Sequence, residues 1–263
     1  MEVYEQPEDK EAEKQAEEKP EVKEETFLFD KSYECPVCYQ GFKAKTVRSG
    51  KLRSLGTDRD LRPLYDQMEP LKYDVVICPH CGYAALTRFF GGLTAGQIKA
   101  IKENISANFH PVEEEKETYT YEEALYRYKL CLANTIVKHG KVSEKAYICL
   151  KAGWLLRSMG ENLDPAVEDY NKKMQEIKEQ EKDFLKNALD GLINARQTES
   201  YPICGMNEVT LEYLIAVLAM EFEKYDISSR LIYNILNTPT VNNRIKDKAR
   251  EVKDELLQQM GKK

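Results

Sequence analysis

No stretch of this sequence approaches the ~18 unbroken apolar residues of a membrane-spanning helix, so no transmembrane segment is expected. The N-terminus, "MEVYEQPEDKEAEKQAEEKPEVKEE", lacks the basic start and apolar core of a secretory signal, which leads us to expect a soluble, cytoplasmic protein. Histidine is scarce: three in 263 residues leave little for acid–base catalysis near neutral pH. There is no glycine-rich phosphate loop, no Gly-x-Ser-x-Gly elbow and no His-Glu-x-x-His pair. Nothing in these absences points to an enzyme.

Apolar side chains are also nearly missing from residues 1–25, which carry ten Glu, one Asp and four Lys, a net charge of −7. The whole chain is −6, so the remainder is close to neutral. A disordered acidic tail is expected over 1–25, because so few apolar groups cannot offset the entropy of ordering. From 26 to 92 the texture changes. "TFLF" (26–29), "FKAKTV" (42–47) and "YDVVI" (73–77) read as short strands, with a helical turn near 60–67 between them. The third region, 93–263, reads as helical. Thr94 with Gln97 and Thr120 with Glu123 fit the capping-box pattern. Helices are expected near 95–108, 120–138, 143–159, 165–197, 208–224, 226–237 and 241–260, broken at Gly140, Gly160, Pro165, Pro202 and Pro239. The middle of the long one, "KKMQEIKEQEKD", is almost wholly polar and is expected to project into solvent or to kink.

Ala124-x-x-x-Tyr128-x-x-Cys131 recurs as Ala188-x-x-x-Leu192-x-x-Ala195 and as Ser228-x-x-x-Ile232-x-x-Ile235. Small, large and small-or-apolar residues at i, i+4 and i+7 share one helix face, where the small one lets a neighbouring helix come close. This resembles the second helix of a tetratricopeptide repeat, and "AYICLKAGWLLRSMGE" (146–161) resembles a first helix with Trp154 at its packing position. The spacings of 64 and 40 residues depart from that family's 34. The fold class expected is therefore mostly α, with a tetratricopeptide-like antiparallel helical array in the C-terminal half and a small β-rich module in front.

What the sequence does have is cysteine in pairs. "CPVC" (35–38) is answered by "CPHCG" (78–82). Zinc takes four deprotonated ligands in a tetrahedron, and each Cys-x-x-Cys turn brings two sulfurs to one side. Cys35, Cys38, Cys78 and Cys81 are thus candidate ligands of one structural zinc in a zinc-ribbon-like module; Gly82 suits the tight turn, since it accepts positive φ. The 39-residue gap exceeds the ~15–20 of a compact ribbon and leaves room for an insertion. A structural metal would also answer the shortage of apolar mass over 26–92. Iron in a four-cysteine site needs nearly the same geometry and stays open as an occupant. A redox dithiol needs one such pair at a helix N-terminus in a thioredoxin-like pattern, which neither pair has. Four thiolates leave no open position for a catalytic water. His80 is expected to point outward, Cys131 and Cys149 to lie in helix cores, and Cys204 to be the candidate exposed thiol.

Between the pairs lies a basic insert. Lys43, Lys45, Arg48, Lys51, Arg53, Arg59 and Arg62 face only Asp58 and Asp60 over residues 40–65, and are candidate anion-binding residues for nucleic acid. The alternative is a solvated loop, or one paired with the acidic tail. In "TDRDLRP" (57–63), Arg–Asp pairing that orders the loop is favoured over acid–base or metal chemistry.

"YECPVC" (33–38), "TDRDLRPLY" (57–65) and "YDVVICPHCGYAA" (73–85), in this order before a helical half, resemble a bacterial family catalogued as domain-of-unknown-function family 2225. The resemblance spans about residues 27–235. It implies a four-cysteine metal-binding front end and tetratricopeptide-like helices behind it, and it implies no reaction. The functional expectation is a non-enzymatic interaction protein. A protein or peptide partner would bind exposed side chains on the first helices, around 143–159 and 208–224.

Overall fold

The computed structural model describes residues 23–111 and 116–261. The tail expected over 1–25 lies outside the described residues as far as residue 22. Its end is described: Glu24–Phe27 form a 3-10 turn, and the Glu24 carboxylate accepts from Lys72 Nζ (2.7 Å) and Tyr73 Oη (2.8 Å). Glu24 thus serves two buried donors just ahead of the boundary expected at 26.

Among the described residues, six short strands form three separate antiparallel pairs. β1 (Leu28–Glu34) pairs with β2 (Gly41–Val47) from Leu28↔Val47 to Glu34↔Gly41. β3 (Ser54–Thr57) pairs with β4 (Pro63–Tyr65). β5 (Val75–Ile77) pairs with β6 (Ala84–Leu86). The helical turn expected at 60–67 is not there. Asp58 N donates to Arg62 O (2.8 Å), and Leu61 takes φ +69°, closing a hairpin turn instead. Two-stranded hairpins are marginal alone in water, so each of these needs outside support.

Seven α-helices follow among the described residues: α1 (Ala95–Asn104), α2 (Tyr121–Val137), α3 (Val142–Glu161), α4 (Tyr170–Thr198), α5 (Glu208–Glu221), α6 (Tyr225–Asn237) and α7 (Asn243–Met260). Both capping boxes form, Thr94–Gln97 on α1 and Thr120–Glu123 on α2. Asn207 and Asn242 cap α5 and α7 by accepting from the backbone N–H three residues on. From α2 onward each helix packs on the next. All nine residues of the small-large-small pattern are buried: Ala124, Tyr128 and Cys131 on α2, Ala188, Leu192 and Ala195 on α4, and Ser228, Ile232 and Ile235 on α6. The mostly α architecture read from the sequence is the one observed.

The polar middle of α4 neither projects nor kinks. The helix is unbroken from Tyr170, and it lies along α3 with Ile177 buried and Glu181 bonded to Arg157 (2.7 Å). A one-sided stripe was enough to hold it, because α3 runs antiparallel beside it, with Gly160 against Ile177 and Gly153 against Leu185. It begins five residues later than Asp164-Pro165 suggests, after Asp169 at φ +60°. α5 is apolar all round and buried, with every residue from 211 to 220 covered, as befits the central helix of the array.

The main core runs from Leu71, Val75, Ala84 and Leu86 through the helices to Leu256, so it passes straight through position 92. A second cluster gathers Cys35, Val37, Cys78, Cys81, Tyr83, Ala85 and Ile101 of α1. β6 is the wall between them. Ala84 and Leu86 face the helices, while Tyr83 and Ala85 face the cysteines, as period-2 alternation requires.

α3 and α4 meet closely enough that a Cβ on Gly191 would lie 2.7 Å from the Cβ of Ala146. Gly191→Ala should therefore destabilise by about 1–3 kcal/mol net, despite the ~1 kcal/mol of helix propensity it gains. Ala146→Gly in the same chain should restore much of the loss, as read by urea midpoints. Equal midpoints for parent and Gly191→Ala would contradict this packing.

Candidate metal centre

The two Cys-x-x-Cys turns sit at the tips of the β1–β2 and β5–β6 hairpins and share one backbone pattern. In the first, Cys35 N donates to Gln40 O (3.0 Å) and Tyr39 N to Cys35 O (2.9 Å). In the second, Cys78 N donates to Tyr83 O (2.8 Å) and Gly82 N to Cys78 O (3.0 Å). The fifth residue of each turn is left-handed: Tyr39 at φ +62° and Gly82 at φ +71°. Val37 N also points at Cys35 Sγ (3.4 Å), the kind of contact that stabilises a thiolate.

The four sulfurs all lie within 4.8 Å of one another. Cys35 and Cys81 are 3.5 Å apart, as are Cys38 and Cys78, so the close approaches link one hairpin to the other. A tetrahedron with metal–sulfur bonds of ~2.3 Å has edges of about 3.8 Å, and this cluster fits that figure. Cys35 and Cys78 are fully buried, Cys81 is buried and Cys38 is half-buried. Hydrogen bonds from Cys78 and then Cys81 draw Cys35 down to about 2. The same bonds to Cys35 push Cys78 far above the usual thiol range and Cys81 to about 12, with burial adding to both. Thiolates crowded this closely repel one another unless a cation lies between them. A divalent cation is what lets all four ionise. These four residues can hold a metal ion.

The surroundings fix the turns. Tyr33, Phe42 and Phe90 pack ring on ring at 5.3–6.0 Å, and Tyr83 meets Phe90 at 5.1 Å. Asn134 of α2, fully buried, donates to Gly82 O (3.1 Å) and so ties the second turn to the helical array. Phe109 lies over Gly82 so closely that a Cβ there would fall 2.5 Å from its ring. Neither contact was anticipated from the sequence. The one available sign was an asparagine three residues after Cys131, on the buried stripe of α2. His80 is exposed and outside the sulfur cluster. Cys131 and Cys149 are buried in the helix core. Cys204 departs from expectation: it is half-buried, its Sγ donates to Ser143 O (3.3 Å), and burial pushes its thiol up to about 11.

Several cations of the basic insert are engaged within the fold. Arg62 is buried, and it is bonded to Asp58 (2.5 Å) and Glu161 (2.7 Å). Arg59 pairs with Glu255 of α7, Arg53 with Asp66 (3.7 Å) and Lys45 with Asp30 (2.9 Å). Arg48 donates to Leu28 O (3.1 Å) and lies over the Phe29 ring. Lys43 and Lys51 are exposed, with no ion pair found for them among the described residues. Arg62 thus serves two carboxylates inside the fold.

Arg–Asp pairing orders 57–63, and the segment reaches further than the sequence suggested. Asp60, 3% exposed, accepts at Oδ2 from Trp154 Nε1 (2.8 Å) and Arg157 Nη1 (2.9 Å) on α3. Burial opposes the charge on Arg157, but Asp60 and Glu181 outweigh it and hold the guanidinium above its usual range. Beside it opens a cleft of about 810 Å³, lined by Asp58, Arg59, Asp60, Arg157, Glu161, Glu181, Val217, Met220 and Glu221 among others. The α3 and α5 surfaces expected to bind a partner are therefore largely covered by the chain's own insert and neighbouring helices.

A family model described as an uncharacterised protein conserved in bacteria matches residues 28–256. No curated protein and no solved structure matches the chain. No helix among the described residues is long and apolar enough to cross a membrane.

Two outcomes test the local account. Gly82→Ala should lower stability by about 1–3 kcal/mol through backbone strain and the Phe109 contact, whereas Tyr39→Gly should stay within about 1 kcal/mol of the parent. Similar losses for both would mean the turns are not equivalent. At pH 8, Cys204 should alkylate about a hundredfold more slowly than a free thiol, because a raised pKa leaves little thiolate. A rate near that of glutathione would contradict its burial.

Proposed function

The chain belongs to domain-of-unknown-function family 2225, and we propose that it is a non-enzymatic scaffold in which a structural zinc locks the front hairpins onto a partner-binding helical array. The observation that carries this reading is the closure of four sulfurs between two hairpins of matching backbone geometry. Such a set is saturated by its own thiolates, so it offers folding energy rather than an open position for water. Structural zinc contributes ~10–16 kcal/mol of apparent binding energy in small metal modules, against hairpins that are marginal alone. Iron fits the same donors, and a visible charge-transfer band would reveal it. The partner is a protein or peptide, in keeping with consecutive helices stacked on one another. A nucleic-acid partner has less support, because most of the basic insert is engaged in internal contacts.

The full chain, purified without added metal, should carry one equivalent of zinc by elemental analysis. Cys78→Ser should carry far less and lose the near-ultraviolet signal of the Tyr33, Phe42, Tyr83 and Phe90 rings, with most helical signal kept. A parent chain free of stoichiometric metal, or a Cys78→Ser chain that binds and folds as the parent does, would overturn the reading.

A further inference from the structure

Residues 57–63 lie across α3, Met220 of α5 and Glu255 of α7. Asp60 takes the Trp154 indole N–H and the Arg157 guanidinium, and Leu61 packs against the main core. Arg62 spans to Glu161, Arg59 reaches Glu255 and Met220 Sδ (3.8 Å), and Lys248 donates to Thr57 Oγ1 (3.0 Å). Leu61 apart, these contacts join charged or polar groups. The pairs at Asp60 and Arg62 bury a charge, which gives direction to a contact more than net stability, while those at Arg59 and Lys248 lie at the surface and are worth little.

The segment is also separable in the fold. It hangs between the end of β2 at 47 and the turn that starts at Pro70, while both cysteine turns belong to other hairpins. The residues of β3 and β4 are exposed or half-buried, so little apolar area holds them down. The cleft of about 810 Å³ adjoins Asp58, Asp60, Arg157 and Met220 and gives a competitor a way in.

We infer that residues 57–63 are a built-in, displaceable ligand of the helical array. The partner that replaces them is a peptide segment with a carboxylate between Trp154 and Arg157 and an apolar residue next to it. The chemistry of the site dictates that choice, because both groups facing Asp60 are donors and the next residue, Leu61, is the strap's one apolar anchor. This names the partner class for the proposed scaffold and rests on that reading only for there being a partner. A tethered ligand competes at an effective concentration on the order of millimolar, so a free peptide of the same chemistry should act in that range.

The test uses hydrogen exchange of the full chain, with and without a synthetic peptide reproducing residues 55–65, alongside emission from Trp154, the chain's one tryptophan. Without peptide, amides of 54–65 should exchange at least about tenfold faster than those of α3, through local opening. A few millimolar of peptide should speed them further and change the Trp154 emission, leaving α3 and α4 protected. The same peptide with Asn at the position of Asp60 should do neither. Exchange of 54–65 only in step with α3 would overturn the inference, as would equal effects, or none, from the two peptides. The metal content of the same samples is independent of all these outcomes, so a failed strap and a failed metal centre are told apart.

Discussion

Four thiols that close two hairpin tips against each other set the terms for the rest of this molecule. Neither hairpin has the apolar mass to stand alone, and their tips meet through sulfur and a small shared apolar cluster that includes Val37 and Tyr83. Once they are joined, β6 becomes a wall with two useful faces: Tyr83 and Ala85 seal the cysteines with Ile101 of α1, and Ala84 and Leu86 enter the helix core. Asn134 adds a buried hydrogen bond from α2 to the second turn. The cysteine cluster is therefore continuous with the array and is not an appended bead. Loosening the sulfurs would remove one side of the main core.

Charge does the complementary job at the far side. Asp60, Arg62 and Arg157 are taken out of water together, each with a partner, at the junction of the insert and α3. Such groups are costly unless the geometry is satisfied, which makes the docking specific to this segment. The fold thus holds its front module twice: by apolar packing and sulfur near β6, and by ion pairs near 57–63. The first holds by burying apolar surface, and the second by matched charge.

The parts of this structure that were legible in the sequence are those set by neighbours in the chain. Both capping boxes formed because Thr94 and Thr120 need only a residue three positions on. The nine positions of the helical pattern were buried because one face of a helix is a local property. The four cysteines stood out by their spacing, and they are together in space. What escaped was long-range. The strand at Pro63–Tyr65 exists because it pairs with Ser54–Thr57, and no local propensity marks it. The α4 polar stretch looked solvent-borne because its support, Arg157 and α3, lies elsewhere in the chain. Tyr39 hid the equivalence of the turns, because a tyrosine gives no hint of positive φ, whereas Gly82 does. The alternating charges of 57–63 announced pairing but not Trp154, ninety-four residues away.

Whether four sulfurs close around one metal ion decides what this module is. X-ray absorption at the zinc edge on the full chain answers this directly. The account predicts a single shell of four sulfur neighbours at about 2.3 Å, with no lighter ligand. A shell containing nitrogen or oxygen, or fewer than four sulfurs, would contradict a closed structural centre and reopen the site to chemistry.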